Sequence, residues 1–141
     1  MNLKRKEKNI IKLEYEGEYS NGKRNGKGKE YDSNIGKLIF QGEFLNGERN
    51  GKGKEYDDGK LEFEGEYLNG ERNGKGKEYN YDGNLKFEGE YLNGKIWNGY
   101  AKEYNYNGNI KYEGEYLNGK FNGKGKEYDD KGGLIFEGEY L

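Results

Sequence analysis

In a chain of 141 residues only 30% are hydrophobic and 37% are charged, which argues against a conventional two-layer core; yet 15 Tyr, 6 Phe and 1 Trp are far too many rings for a disordered chain. A total of 25 Lys and Arg against 27 Asp and Glu leaves a net charge of -2, without long-range attraction for nucleic acid or anionic lipid. Zero Cys and zero His remove disulfides, thiolate metal sites and the commonest metal ligand and general base.

Residues 1–14 form a basic segment, Lys4-Arg5-Lys6-Glu7-Lys8, with no apolar signal region after it, and no run of residues is long enough to span a bilayer. The expectation is a cytoplasmic protein, membrane-associated at most. Asn9-Ile10-Ile11-Lys12-Leu13 reads as a degraded half-repeat. From Tyr15 onward one phrase recurs, starting again at Phe40, Phe63, Phe87, Tyr112 and Phe136. The units are 15–39, 40–62, 63–86, 87–111 and 112–135, with a partial copy at 136–141.

The third unit is the clearest. Leu61, Phe63, Gly65 and Tyr67 alternate with Glu62, Glu64, Glu66 and Leu68, a period of two that predicts a β-strand and not a helix. Asn69-Gly70 and Asn73-Gly74, then Asp82-Gly83, supply the positive φ that hairpin turns need. Such short connections permit only antiparallel pairing. The predicted fold is all-β: an elongated single-layer meander of tandem β-hairpins with about eleven strands, roughly 50 Å long. With Gly65 opposite Gly76, Glu64 faces Lys77 and Glu66 faces Lys75, and across the next turn Lys77 meets Glu88 and Lys75 meets Glu90. A two-residue slip toward a tighter Asn69-Gly70 turn keeps the same faces. One face therefore carries stripes of Glu and Lys. The other carries rings separated by glycine, at Gly17 and Tyr19, Gly42 and Phe44, Gly65 and Tyr67, Gly89 and Tyr91, and Gly114 and Tyr116; Glu78 is expected at its margin. Glycine leaves room there for rings to lie flat on the backbone.

The pattern aromatic-Glu-Gly-Glu-aromatic followed by Asn-Gly and Asn-Gly-Lys-Gly-Lys, as in Phe63 to Lys77 and Phe40 to Lys54, resembles the MORN motif (membrane occupation and recognition nexus) over Tyr15 to Leu141. That resemblance implies a twisted β-meander used as a scaffold or protein-binding module, with phospholipid contact in some members. The Lys-Glu-Tyr ending, as in Lys77-Glu78-Tyr79, is also similar to bacterial repeats that include antitoxin-like proteins, which implies a toxin as a third kind of partner.

The fourth unit departs from the rest: Lys95-Ile96-Trp97-Asn98-Gly99-Tyr100-Ala101 replaces Glu71 to Gly76 with one residue inserted. Ile96, Trp97 and Tyr100 are the partner-binding candidates, since an exposed Trp beside Ile and Tyr anchors a partner; the competing reading is drift, with Trp97 folded over its own hairpin. Lys23, Arg24, Arg49, Arg72, Lys95 and Lys120 are expected in hairpin loops along one long edge, a basic fringe suited to an anionic membrane surface but diluted by Glu48 and Glu71. The carboxylates recur in most units and so mark structure, not an acid/base pair; no catalytic residue, cofactor or metal site is assigned, and no enzyme activity is expected. A terminal strand from Phe136 offers an edge for end-to-end self-association or a partner strand.

Overall fold

The computed structural model describes residues 14–140. The half-repeat read at Asn9 to Leu13 lies outside them. The described residues form one antiparallel sheet in which sequence order and spatial order coincide. Its strands are β1 (Tyr15–Ser20), β2 (Lys23–Tyr31), β3 (Leu38–Leu45), β4 (Glu48–Asp57), β5 (Lys60–Leu68), β6 (Glu71–Tyr79), β7 (Leu85–Leu92), β8 (Lys95–Tyr104), β9 (Ile110–Leu117), β10 (Lys120–Tyr128) and β11 (Leu134–Tyr140).

The hairpin of each full repeat closes on a two-residue Asn-Gly loop with both residues at positive φ, such as Asn69 at 50° and Gly70 at 87°, the turn whose twist suits antiparallel strands. In β5 and β6 both registers that the sequence allows occur together. Gly65 pairs with Gly76 in the middle of the hairpin, and Tyr67 pairs with Arg72 beside the turn. The difference is taken up by a bulge, where Asn73, Gly74 and Lys75 stand against Glu66 alone. Asn73-Gly74 is therefore a bulge and not a turn, with Gly74 at φ 98°. The expected Glu66–Lys75 pair within this hairpin does not form; the Glu66 carboxylate instead accepts the Lys75 backbone N–H at 2.9 Å. The reason is local: the tight turn fixes Leu68 against Glu71 while the glycines fix the centre, and only a bulge satisfies both. On its far side β6 follows the expected register, Lys75 to Glu90, Gly76 to Gly89 and Lys77 to Glu88.

The bulges also fasten one repeat to the next. The N–H of the turn asparagine donates to the carboxamide of the preceding bulge asparagine, Asn93 to Asn73 Oδ1 at 3.1 Å and Asn118 to Asn98 Oδ1 at 3.0 Å. The N–H of the following glycine donates to a preceding carbonyl, Gly94 to Arg72 O at 2.8 Å and Gly119 to Trp97 O at 2.9 Å. Asn46-Gly47 and Asn69-Gly70 dock in the same way on the repeats before them.

The core lies on one face only. Phe40, Phe63 and Phe87 are fully buried, and Phe44, Tyr67, Tyr91, Tyr15 and Tyr112 nearly so. The rings meet edge to face along the sheet: Phe63 lies 5.7 Å from Tyr67 of its own repeat and 5.1 Å from Tyr91 of the next, a geometry that suits the ring quadrupole. The glycines do what the sequence predicts. A methyl group on Gly76 would meet the Phe63 ring at 2.6 Å, so the ring lies directly on the backbone of the neighbouring strand.

Candidate functional site: an aromatic face covered by arginine in three repeats

Beside each tight turn, cross-strand pairing puts one residue opposite the second ring of the repeat. In repeats two and three it is an arginine, Arg49 opposite Phe44 and Arg72 opposite Tyr67, and in repeat one Arg24 lies opposite Tyr19. These arginines belong to strands and share the aromatic face. The expected fringe of solvated loop cations is thus corrected for Arg24, Arg49 and Arg72, which lie over rings because the two-residue turn ends before them. Lys23, Lys95 and Lys120 remain exposed along the edge.

Arg72 shows what this position does. Its guanidinium carbon sits 4.1 Å from the Phe63 ring centre. Its Nε and Nη2 donate to Glu55 at 2.8 and 3.0 Å, and Nη1 donates to Glu78 at 2.7 Å. One planar group therefore bridges two strands while covering a ring. Arg49 lies 4.2 Å over Phe40 and donates to Glu30 at 2.8 Å; Arg24 lies 4.6 Å over Tyr15 and donates to the same Glu30 at 3.2 Å. Glu78, placed by sequence at the margin of this face, is half-buried within it and pairs with Phe63 across the strands.

Burial alone would raise the Glu55 carboxyl, but hydrogen bonds from Arg72 and from the Tyr67 hydroxyl, with the charges of Arg72 and Arg49, outweigh it and hold Glu55 below the usual carboxylate range. The Tyr67 phenol is pushed far up, first by burial and then by Glu55. Burial likewise pushes Tyr112 up to about 12. The two shifts act on opposite limbs. A depressed carboxyl contributes stability above the ordinary value of about 4, which is lost as pH falls through the folded value; a raised phenol contributes stability below about 10, which is lost as pH rises. Thermal melts followed by circular dichroism are expected to show a plateau between these limits, with Glu55→Gln flattening the acid limb. An acid limb unchanged in that variant would contradict the assignment to Glu55.

The covering stops after three repeats. Ile96 takes the place opposite Tyr91, and Phe121 the place opposite Tyr116. Phe121 lies 3.9 Å from Tyr112 and 4.4 Å from Tyr116; among the described residues no cation lies over it, and Glu127 pairs with Tyr112 on the same face. Ile96, Tyr116 and Phe121 are only partly buried against the core, and Phe136 is exposed.

Repeat four also changes register. Gly89 faces Gly99, not Ala101, and Phe87 faces Ala101 where Phe63 faces Glu78. Gly99 takes over the position under the ring, since a methyl group there would meet Phe87 at 2.8 Å. Ala101 is tolerated because the strand has slid past the crowded rung. Ile96, Trp97 and Tyr100 do not form one patch. Ile96 packs on the aromatic face; Tyr100 lies on the charged face between Glu88 and Glu115, 47% exposed; Trp97 sits at the bulge with its ring beside Gly119 of the next turn.

On the charged face the stripes are present, but among the described residues only Lys77–Glu88 at 3.9 Å and Lys126–Glu137 at 3.8 Å close to contact distance between the facing rows. A shallow recess of about 600 Å³ runs over Gly53, Gly65, Gly76 and Gly89 between those rows. Among the described residues no cluster of acidic side chains is arranged to hold a metal ion, and no helix is long and apolar enough to cross a membrane.

Sheet, turns and bulges together define a tandem β-hairpin repeat protein. The family model of the MORN repeat matches residues 15–34, 40–60, 63–85 and 112–134, well over half of the sequence, and the protein belongs to the MORN repeat family. The matched segments leave out residues 86–111, the unit with the inserted residue and the altered register. No curated protein matches the sequence.

Proposed function

We propose that the protein is a non-catalytic scaffold that binds a protein partner through the aromatic face of its fourth and fifth repeats. The observation that carries this is the change along one continuous face: arginines paired with glutamates lie over the rings of the first three repeats, whereas Ile96 and Phe121 take that place in the next two and, with Tyr116, stay partly exposed beside Glu103 and Glu127. Apolar surface next to a polar rim is what a protein interface requires. The anionic-phospholipid reading loses support, because half of its six cations lie over rings instead of at the edge. A toxin would be one protein partner of the kind proposed.

The test extends the arginine cover. Ile96→Arg and Phe121→Arg place the residue of repeats one to three at the equivalent positions, so the variants are expected to fold. Affinity purification from cells of the source organism should recover a protein with the wild type, lose it with Phe121→Arg, and keep it with Lys29→Gln on the opposite face. A partner retained by Phe121→Arg, with melting showing the variant folded, would place binding elsewhere.

A further inference from the structure

The sequence holds eleven Asn-Gly pairs, the dipeptide most open to backbone attack on a carboxamide because glycine leaves the attacking nitrogen unhindered. The fold sorts nine of them. Before the turn glycines Gly47, Gly70, Gly94 and Gly119, the attacking nitrogen is engaged, its N–H donating to a carbonyl of the preceding repeat at 2.8 to 2.9 Å. At the bulges, the carboxamide oxygens of Asn25, Asn50, Asn73 and Asn98 accept from the next repeat and are held away. Asn122, at the bulge of the fifth repeat, differs: its Oδ1 accepts from Gly123 N, the next residue along the backbone, at 2.7 Å. The carboxamide is thus folded back onto the one nitrogen able to cyclise with it, the kind of proximity that turns a slow reaction into a local one.

We infer that Asn122 is a site of spontaneous deamidation in the folded protein. Once a base removes its proton, Gly123 N attacks Asn122 Cγ; a new bond forms between them, the bond from Cγ to Nδ2 breaks and ammonia leaves. Water then opens the resulting five-membered imide at either carbonyl, giving aspartate or isoaspartate. No oxidant or further reactant is involved. Either product adds a negative charge next to Phe121. Isoaspartate also inserts a methylene into the backbone between the Tyr116–Phe121 and Gly114–Gly125 pairings, whose offset the bulge now sets. The modification therefore falls at the bulge beside Phe121, next to the stretch of the aromatic face that carries no arginine.

The full-length protein is held folded in mildly alkaline buffer, beside a sample unfolded in urea, and conversion at each asparagine is followed by peptide mapping with mass spectrometry. Unfolded, all the Asn-Gly sites should convert at similar rates. Folded, Asn122 is expected to convert at least about fivefold faster than Asn73 or Asn98, the factor imposed by first breaking one ordinary hydrogen bond. Asn118, in the same hairpin with its glycine nitrogen engaged, is the control for local opening. Asn118 converting in step with Asn122 would assign the reaction to fraying of the hairpin, and Asn122 as protected as Asn73 would show that the folded geometry does not promote it; either result overturns the inference.

Discussion

Replacing Gly65 with alanine is expected to destabilise the fold by about 3 kcal/mol, the upper end for forcing volume into a packed site. The new methyl would meet the Lys75 carbonyl oxygen at 2.5 Å, the Gly76 Cα at 2.7 Å and the Phe63 ring at 2.7 Å. Two of these are backbone atoms of the paired strand, so no rotamer change relieves the contact. The ring cannot retreat either, because Tyr67 and Tyr91 meet it at their edges. Gly83→Ala is the comparison. Nothing lies within 4 Å of that position, and only its φ of +88° resists a larger residue, a cost of about 1 kcal/mol. Urea unfolding of both variants should separate them clearly; equal losses would mean that glycine serves the strands only through backbone freedom.

Arg72→Ala is expected to cost about 2 kcal/mol, from hydrogen bonds to charged groups discounted for partial solvent exposure. The deletion uncovers Phe63 and leaves two half-buried carboxylates, Glu55 and Glu78, without the group that bridges them. Arg24→Ala should cost less, since that arginine is more exposed and, among the described residues, makes one bond at 3.2 Å. Arg72→Met keeps the apolar stem over the ring and should recover part of the loss, and Arg72→Met with Glu55→Gln more of it, because an unpaired buried carboxylate is the costly remnant. Thermal and urea melts of the four variants decide the matter. If Arg72→Met and Arg72→Ala were equal, coverage of the ring would contribute nothing.

The sheet, its strand count and the division into faces were legible because they rest on period two and on the recurrence of one phrase. Phe63 and Tyr67 share a face with Gly65 and Gly76, as their spacing requires. The register was half legible. Two alignments both matched Glu with Lys, and nothing in the residues themselves shows that each is used in its own part of one hairpin. Arginine was misread because a basic residue two places after Asn-Gly looks like loop charge. A signal was present: Arg24, Arg49 and Arg72 each precede a glutamate by six residues, at Glu30, Glu55 and Glu78, while Ile96 and Phe121 stand at the same place in later units. In the first and third repeats that pair is a bridge, Arg24 to Glu30 and Arg72 to Glu78, whereas Arg49 bonds back to Glu30 of the preceding repeat. The splitting of Ile96, Trp97 and Tyr100 between faces was not legible, because the inserted residue moves the register and proximity in sequence no longer means a shared side.

The asparagine bulges give the molecule a direction. Acceptors, an Arg or Trp carbonyl and a carboxamide oxygen, always belong to the earlier unit, and the two amide donors to the later one. Stacked in the reverse sense, units would set donor against donor, so hairpins of this design match only head to tail, as roof tiles overlap in one sense.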